Sequence, residues 1–375
     1  MKKLLSLLAA AILILGAAYT VQAGAADEKR YTVQDILKQA ANGWHQTYQA
    51  HGRTVAADIP IQVPDVGVFP ALIAEPMPAL GSIPITDFRG YRLEREMFFN
   101  EAGSFRWDSI AGEIMNEAAR INRKGSSKVT QIPPVIRFFN QLEWDTAYAL
   151  NTPSTVRDAD SLMKATWEKY FPNEKILMMP HWANVYGDPQ APLMVYFDQV
   201  MRGIPVLCYS MNSFSNYSKT FKQENRGYIG GVAIIQGLKD IGLEDTFYSM
   251  QYSLLKEQQE IEPDLPLCSL DQVIDTYEKL IEEGKLRTVQ SLRLGYVVWY
   301  NKGEPESYNL LPAWVLEGEL FRDADAERPW PLTKYSDKPG EYGPILVNAQ
   351  TGELIDPWNA NPDRSFNKPE ILSWK

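Results

Sequence analysis

With 375 residues, 45% of them hydrophobic and 22% charged, the chain is long enough for two or three packed cores and has an ordinary globular make-up. Its formal net charge of -10 gives no counterion-release affinity for nucleic acid and repels anionic lipid, which argues against polyanion binding.

Residues 1–25 predict a secretory signal: Lys2 and Lys3, an apolar run from Leu4 to Tyr19, then small side chains at Val21, Ala23 and Ala25. The run is short for a bilayer span, so export and cleavage are expected, leaving the mature protein extracellular or on the outer face of the cytoplasmic membrane with no direct span. Cleavage removes two lysines and no acid, taking the formal charge from -10 to -12.

Residues 26–150 form an N-terminal Pro-rich α/β region. Val33, Ile36, Leu37 and Ala40 fall at helical spacing, predicting a short amphipathic helix over 31–50. Prolines at 60, 64, 70, 76, 78 and 84 then exclude a helix and favour short extended segments. A strand-like GYRLEREMFF follows, and Ile110, Ile114, Ala118 and Ile121 predict a helix over Trp107 to Asn122.

Residues 151–262 read as one helix followed by an antiparallel meander. The helix runs from Val156 to Tyr170 and is stopped by Pro172. The strand-like runs are KILMMPHWANVY, PLMVYFDQVMRGIPVLCYS, GYIGGVAIIQ and TFYSMQYSLLKEQ.

Residues 263–375 repeat that pattern. Ser269 with Gln272 reads as a capping box, Gly284 as a helix end, and Leu270, Val273, Ile274, Tyr277, Leu280 and Ile281 as one buried face. In LRLGYVVWY, Leu292, Leu294, Tyr296, Val298 and Tyr300 alternate onto one side and Arg293, Val297 and Trp299 onto the other. Pro312 makes YNLLPAWVLEGEL an edge strand or a bulged one, and Gly352 supplies a hairpin turn between Val347 and Leu354. The fold class expected is α+β, with tandem modules of one helix packed on an antiparallel sheet.

Chemistry-bearing residues are sparse. The three histidines, His45, His51 and His181, sit at no metal-ligand spacing, so neither a metal nor a cofactor is expected; His181 reads as a structural histidine. Ser161 and Lys164 form an SxxK, and Ser210 with Asn212 an SxN, the pair used by penicillin-recognising serine hydrolases. The third element, Lys-Thr-Gly, is missing, and Ser253 with Lys256 repeats SxxK elsewhere. Glu143, Asp145, Asp188 and Asp356 are candidate carboxylates for a glycosidase pair that nothing in their spacing separates from surface acids. Cys208 and Cys268 are a candidate disulfide in an exported protein, worth about 4 kcal/mol on the chain-entropy estimate, or else two buried thiols. Of ten tryptophans, Trp167, Trp299 and Trp314 fall on packing faces, whereas Trp330 and Trp358 lie in loops and are the candidates for exposed contacts with a partner.

The stretch from Leu267 to Pro357, with SLDQV, LGYVVW, LPAWV and NAQTGELID, resembles PepSY-like modules and especially the exported YycH/YycI-type regulators of Gram-positive bacteria. It looks closest to uncharacterised clostridial envelope proteins of that plan. YFDQVMRGIPV and DIPIQVPDVGV extend the likeness upstream, so that it covers about two-thirds of the mature chain. The resemblance implies a non-enzymatic protein. YycH/YycI proteins bind the sensor region of a histidine kinase outside the membrane, and PepSY modules are associated with protease inhibition. Those kinase regulators keep a transmembrane anchor, where this chain is expected to carry a cleavable signal. The expected function is binding or regulating another cell-envelope protein; the alternative is a carbohydrate-active protein that binds cell-wall glycan or hydrolyses it with a carboxylate pair.

Overall fold

The computed structural model describes residues 30–76, 83–85, 95–97, 104–108, 135–148, 155–170, 172, 175–185, 193–207, 230–238, 243–300, 308–319 and 342–355. The signal segment, Cys208, Ser210, Asn212, Asp188, Trp330, Asp356 and Trp358 lie outside them.

Helix α1 (Val33–Ala40) opens with a complete capping box between Thr32 and Asp35. The helix predicted over 31–50 ends at Ala40 and residues 44–50 are a strand instead, because Gly43 adopts φ +70° and turns the chain. Strands β1 (Trp44–Ala50) and β2 (Arg53–Ile59) form a hairpin with seven residue pairs. Its two-residue turn, His51-Gly52, has positive φ at both positions, as a type I′ turn requires.

The Pro-rich stretch yields short strands, as its prolines predict: β3 (Ile61–Gln62), β4 (Ala71–Pro76) and β5 (Ile83–Ile85). β5 pairs with β6 (Arg95–Met97). Trp107 and Asp108, expected to begin a helix, instead end β7 (Ser104–Asp108), where Trp107 pairs with Met250. The rest of that expected helix lies outside the described residues. Strand β8 (Val135–Phe138) and a single 3₁₀ turn (Phe139–Gln141) lead towards helix α2 (Val156–Tyr170).

The first meander is β9 (Leu177–Val185), β10 (Leu193–Met201), β12 (Gly230–Leu238) and β13 (Leu243–Ser253), all antiparallel, with the short β11 (Ile204–Val206) turned back onto β10. β14 (Leu255–Glu262) leaves this group and pairs with β4. The buried amide of Gln199 takes over its start, donating to Leu255 O at 2.7 Å and accepting from Leu255 N at 2.8 Å.

Helix α3 (Leu270–Glu282) has the predicted N-cap, Ser269, and ends at Gly284 with φ +71°. Only half of the capping box forms: Ser269 Oγ accepts from Gln272 N, while the Gln272 amide donates to Thr351 O at 2.7 Å. The second meander is β15 (Ser291–Tyr300), β16 (Tyr308–Glu319), β17 (Tyr342–Asn348) and β18 (Leu354–Ile355), turning at Gly352 as expected. A single parallel bridge, Val206 to Tyr296, joins β11 to β15 and makes one sheet of fourteen described strands. The class is α+β, mostly antiparallel sheet with few helices.

β16 is neither an edge strand nor bulged at Pro312. It pairs with β15 from Tyr308 to Glu317, and on its other side with β4 at Tyr308 to Leu310 and with β17 from Ala313 onwards. Tyr296 O accepts from Leu207 N, just past the end of β11, so Tyr296 and its partner Pro312 both point their backbone polar groups away from the β15–β16 seam. The missing N–H of Pro312 thus falls in the gap between β4 and β17, where no ladder donor is needed.

The main core lies between the second meander and a cover of α1, α3 and the β1–β2 hairpin, with Val33, Ile36, Trp44, Val273, Tyr277, Leu294, Tyr296, Trp314 and Leu316 among its members. Each such side chain contributes about 1.5–3 kcal/mol by leaving water. Residues 33–74 therefore share one core with residues 255–349. The opposite face of β15 and β16 is also buried, through Val297, Leu311, Ala313 and Val315.

Candidate functional site

Strand β9 carries a β-bulge. Trp182 opposes Tyr196 and Pro180 opposes Phe197, which leaves His181 as the extra residue. A bulge re-aims a side chain out of strict alternation, and here it brings His181 Nδ1 to 3.1 Å from Asp198 Oδ1 on β10, off hydrogen-bond alignment. Asp198 Oδ2 accepts from Arg293 Nη1 on β15. On the same face of β15, two residues back, Ser291 stands opposite Glu317 on β16. Four ionisable groups from four strands thus lie together: His181 (1% exposed), Asp198 (0%), Arg293 (2%) and Glu317 (0%). Two come from the first meander and two from the second.

Their electrostatics follow from that burial. Desolvation pushes His181 down to about 4; Asp198 opposes the shift and Arg293 adds to it. Desolvation pushes Glu317 up to about 8, against the pull of Arg293 and with the help of Asp198. Near neutral pH the cluster therefore holds one ion pair, Asp198 with Arg293, flanked by a neutral imidazole and a predominantly protonated carboxyl. Its chemistry is to hold a proton and bridge the meanders; none of the four side chains faces solvent.

The other sequence candidates fall elsewhere. His45 is exposed on the hairpin, 2.6 Å from Asp58, and His51 at its tip places Nε2 3.0 Å from Glu282 O at the end of α3. Ser161 is exposed on α2, and Lys164 pairs with Asp160 at 2.7 Å. Ser253 ends β13 and Lys256 belongs to β14, so the second SxxK lies on strands. Glu143 accepts from Thr146 Oγ1 at 2.6 Å. Arg157 donates to Asp145 in a two-point contact and holds its carboxyl below the usual range. Arg157 also lies over the half-buried ring of Trp144, 5.6 Å from its centroid. Cys268 is 5% exposed, in the main core. Trp167 and Trp314 are buried packing residues, as expected.

Sequence motifs point to His181 but not to Asp198, Arg293 or Glu317. The available signal was a charge inside each of three apolar strands, YFDQVM, LRLGYVVWY and WVLEGEL. Among the described residues, no group of three or more His, Cys, Asp or Glu side chains is placed to hold a metal ion, and no helix is long and apolar enough to cross a membrane.

Comparison with protein-family models gives no match, and neither does comparison with curated proteins. Among solved structures, the chain is similar to one described as an uncharacterized protein from Eubacterium rectale ATCC 33656, with a TM-score of 0.40 and 11% sequence identity over 80% of this chain and 90% of that one.

Proposed function

We propose that this is an exported, non-enzymatic protein of the bacterial cell envelope, built on two PepSY-like modules in tandem, that binds and regulates another envelope protein. The observation that carries the binding reading is the β1–β2 ribbon. Among the described residues its two strands pair only with each other, in seven regular pairs without a bulge. Unpaired strand edges are templates for an added strand, and proteins blunt them with charge, proline or bulges where pairing is unwanted. β14, at the end of the large sheet, is blunted in that way: it carries Lys256, Glu257, Glu260 and Glu262, and its pairing with β4 has two register shifts. The ribbon has neither Lys nor Pro, and its centre, from Gln46 to Gln49 opposite Thr54 to Ala57, is uncharged.

The geometry also names the groups available. In a two-residue hairpin the pair closing the turn, Ala50 with Arg53, is hydrogen-bonded, so His45, Thr47 and Gln49 on one edge and Thr54, Ala56 and Asp58 on the other turn their backbone N–H and C=O outward. The burial of the His181 cluster supports a non-catalytic role, since its proton-holding groups have no contact with solvent.

The test is capture from an envelope extract of the same host with the mature chain, its Thr47→Pro variant and its Ala56→Pro variant. Either proline removes one outward N–H and leaves the inner ladder its donors. The reading expects one partner protein to be retained by the parent chain and lost by one variant, while both variants melt within a few degrees of the parent. Equal retention by all three would remove the ribbon from consideration. Retention of cell-wall glycan alone, or release of sugar during incubation, would replace the reading with the carbohydrate-active one.

A further inference from the structure

Among the described residues the two meanders share one sheet through a seam of little backbone pairing, flanked by Met201, Ile204 and Val206 in the main core. β11 contributes one parallel bridge, Val206 to Tyr296, and one hydrogen bond, Leu207 N to Tyr296 O at 2.8 Å. Beside that seam Arg293 reaches from the second meander to Asp198 in the first, and Glu317 lies across β15–β16 from Ser291. We propose that this four-strand cluster is a proton-controlled clasp: with Glu317 neutral, Arg293 is committed to Asp198 across the seam, and loss of the Glu317 proton to water divides one guanidinium between two carboxylates and loosens the β11–β15 join.

The charge count is the physical reason. Among the described residues, with His181 and Glu317 neutral, Asp198 and Arg293 cancel. Ionisation of Glu317 leaves a net negative charge in a site where every member is 2% exposed or less, and an uncompensated buried charge is strongly unfavourable. Both Glu317 oxygens, Ser291 Oγ and His181 Nε2 have no hydrogen-bond partner, so the ionised form would have only the guanidinium that Asp198 already holds. Opening the seam would let water do so.

The groups facing Glu317 can be named element by element among the described residues. β15 presents Ser291 directly opposite and Arg293 diagonally, β10 presents Asp198, and β9 presents His181 beside Asp198. β17 sets Pro344 opposite Glu317. Across β16, α3 presents Tyr277, whose hydroxyl reaches the carbonyls of Trp314 and Ile345, with Cys268 near it. At the strand end, Glu319 is matched by Arg287 at 3.8 Å. Arg293 and Asp198 are the charges that act on Glu317, the first favouring ionisation and the second opposing it.

Amide hydrogen exchange on the full chain tests the clasp, read at Leu207 in the seam and at Ile281 in α3, each corrected for intrinsic exchange. Where Glu317 is protonated in the closed seam and ionised in the open one, the opening constant at Leu207 should rise about tenfold per pH unit, levelling near pH 8. Glu317→Gln, which keeps the neutral shape, should flatten that dependence. The same slope at Leu207 in both proteins, or the same slope at Leu207 and Ile281 in the parent, would overturn the proposal. Should Glu317→Gln fail to fold, infrared difference spectra of the parent decide: a protonated carboxyl that disappears with a midpoint near pH 8 is expected, and its absence at pH 6 sinks the clasp.

Discussion

Arg293 of β15 donates to Asp198 of β10 where neither is more than 2% exposed, so the ion pair that bridges the two meanders is sealed from water. Such a pair adds little over apolar packing, but removing one member strands the other. Arg293→Met or Asp198→Asn alone should therefore destabilise by about 3–5 kcal/mol. The double replacement Asp198→Asn with Arg293→Met, which leaves no unpaired charge, should recover much of that loss. Urea unfolding of the four proteins checks it, and additive losses would mean the two side chains do not act as a pair.

The same cluster sets the pH dependence of stability. His181, lowered from 6.5 to about 4, contributes stability that is complete above pH 6.5 and lost as pH falls towards 4. Glu317, raised from 4.5 to about 8, contributes stability that is complete below pH 4.5 and lost as pH rises towards 8. Between 4.5 and 6.5 the two slopes oppose each other, so their joint contribution should be greatest and flat there. From pH 6.5 to 8 the loss should be about 2 kcal/mol, one proton over that interval. Urea midpoints measured from pH 3 to 9 check the profile; Glu317→Gln should abolish the alkaline limb and His181→Asn the acid one.

Two glycines in the second meander are required by close approach rather than by turn geometry. A Cβ at Gly295 would lie 2.5 Å from Pro205 O on β11, and one at Gly318 would lie 2.0 Å from Thr288 O. Backbone cannot yield as a side-chain tip can, so alanine at either position should destabilise by about 1–3 kcal/mol. Gly67, with nothing within 4 Å of its added Cβ, is the control: alanine there should stabilise by about 0.4–1 kcal/mol through the unfolded chain. Thermal melts of the three variants would settle the ranking, and an unchanged Gly295→Ala melt would contradict the tight seam.

Much of this architecture is written locally, and the site is not. Helix α3 announces itself because Ser269, Gly284 and an unbroken apolar face all act within a few residues of one another. LRLGYVVWY likewise declares its two faces, and Leu292, Leu294 and Tyr296 do enter the main core while Val297 enters the opposite one. The β1–β2 hairpin is harder to read, since Ala41, Gln46 and Gln49 suit a helix and the deciding event is the positive φ at Gly43. Pro312 misleads for a similar reason: its cost depends on which strands flank it, and those are β4 from the N-terminal stretch and β17 from far downstream. The cluster of residues 181, 198, 293 and 317 has no local signature, because only the sheet's long-range register brings its members together.

Pro312 supplies the last expectation, and it follows from strand parity alone. Tyr296 turns its carbonyl to Leu207, so across the β15–β16 ladder Pro312 turns its backbone towards the side where β4 has ended and β17 has not begun. Its own carbonyl is used there, accepting from Ala349 N at 3.3 Å, and an N–H at this place would have no strand residue opposite. Pro312→Ala should therefore lose only the proline's restriction of the unfolded chain, about 0.4–1 kcal/mol. Leu310 has the same parity but stands opposite Leu72 of β4, where its N–H belongs to the ladder and its side chain to the core. Leu310→Pro should cost several kcal/mol, combining a lost ladder bond with a large-to-small core change. Chemical denaturation of the two variants side by side measures the contrast; equal losses would place the Pro312 backbone inside a ladder and undo the register on which the gap between β4 and β17 rests.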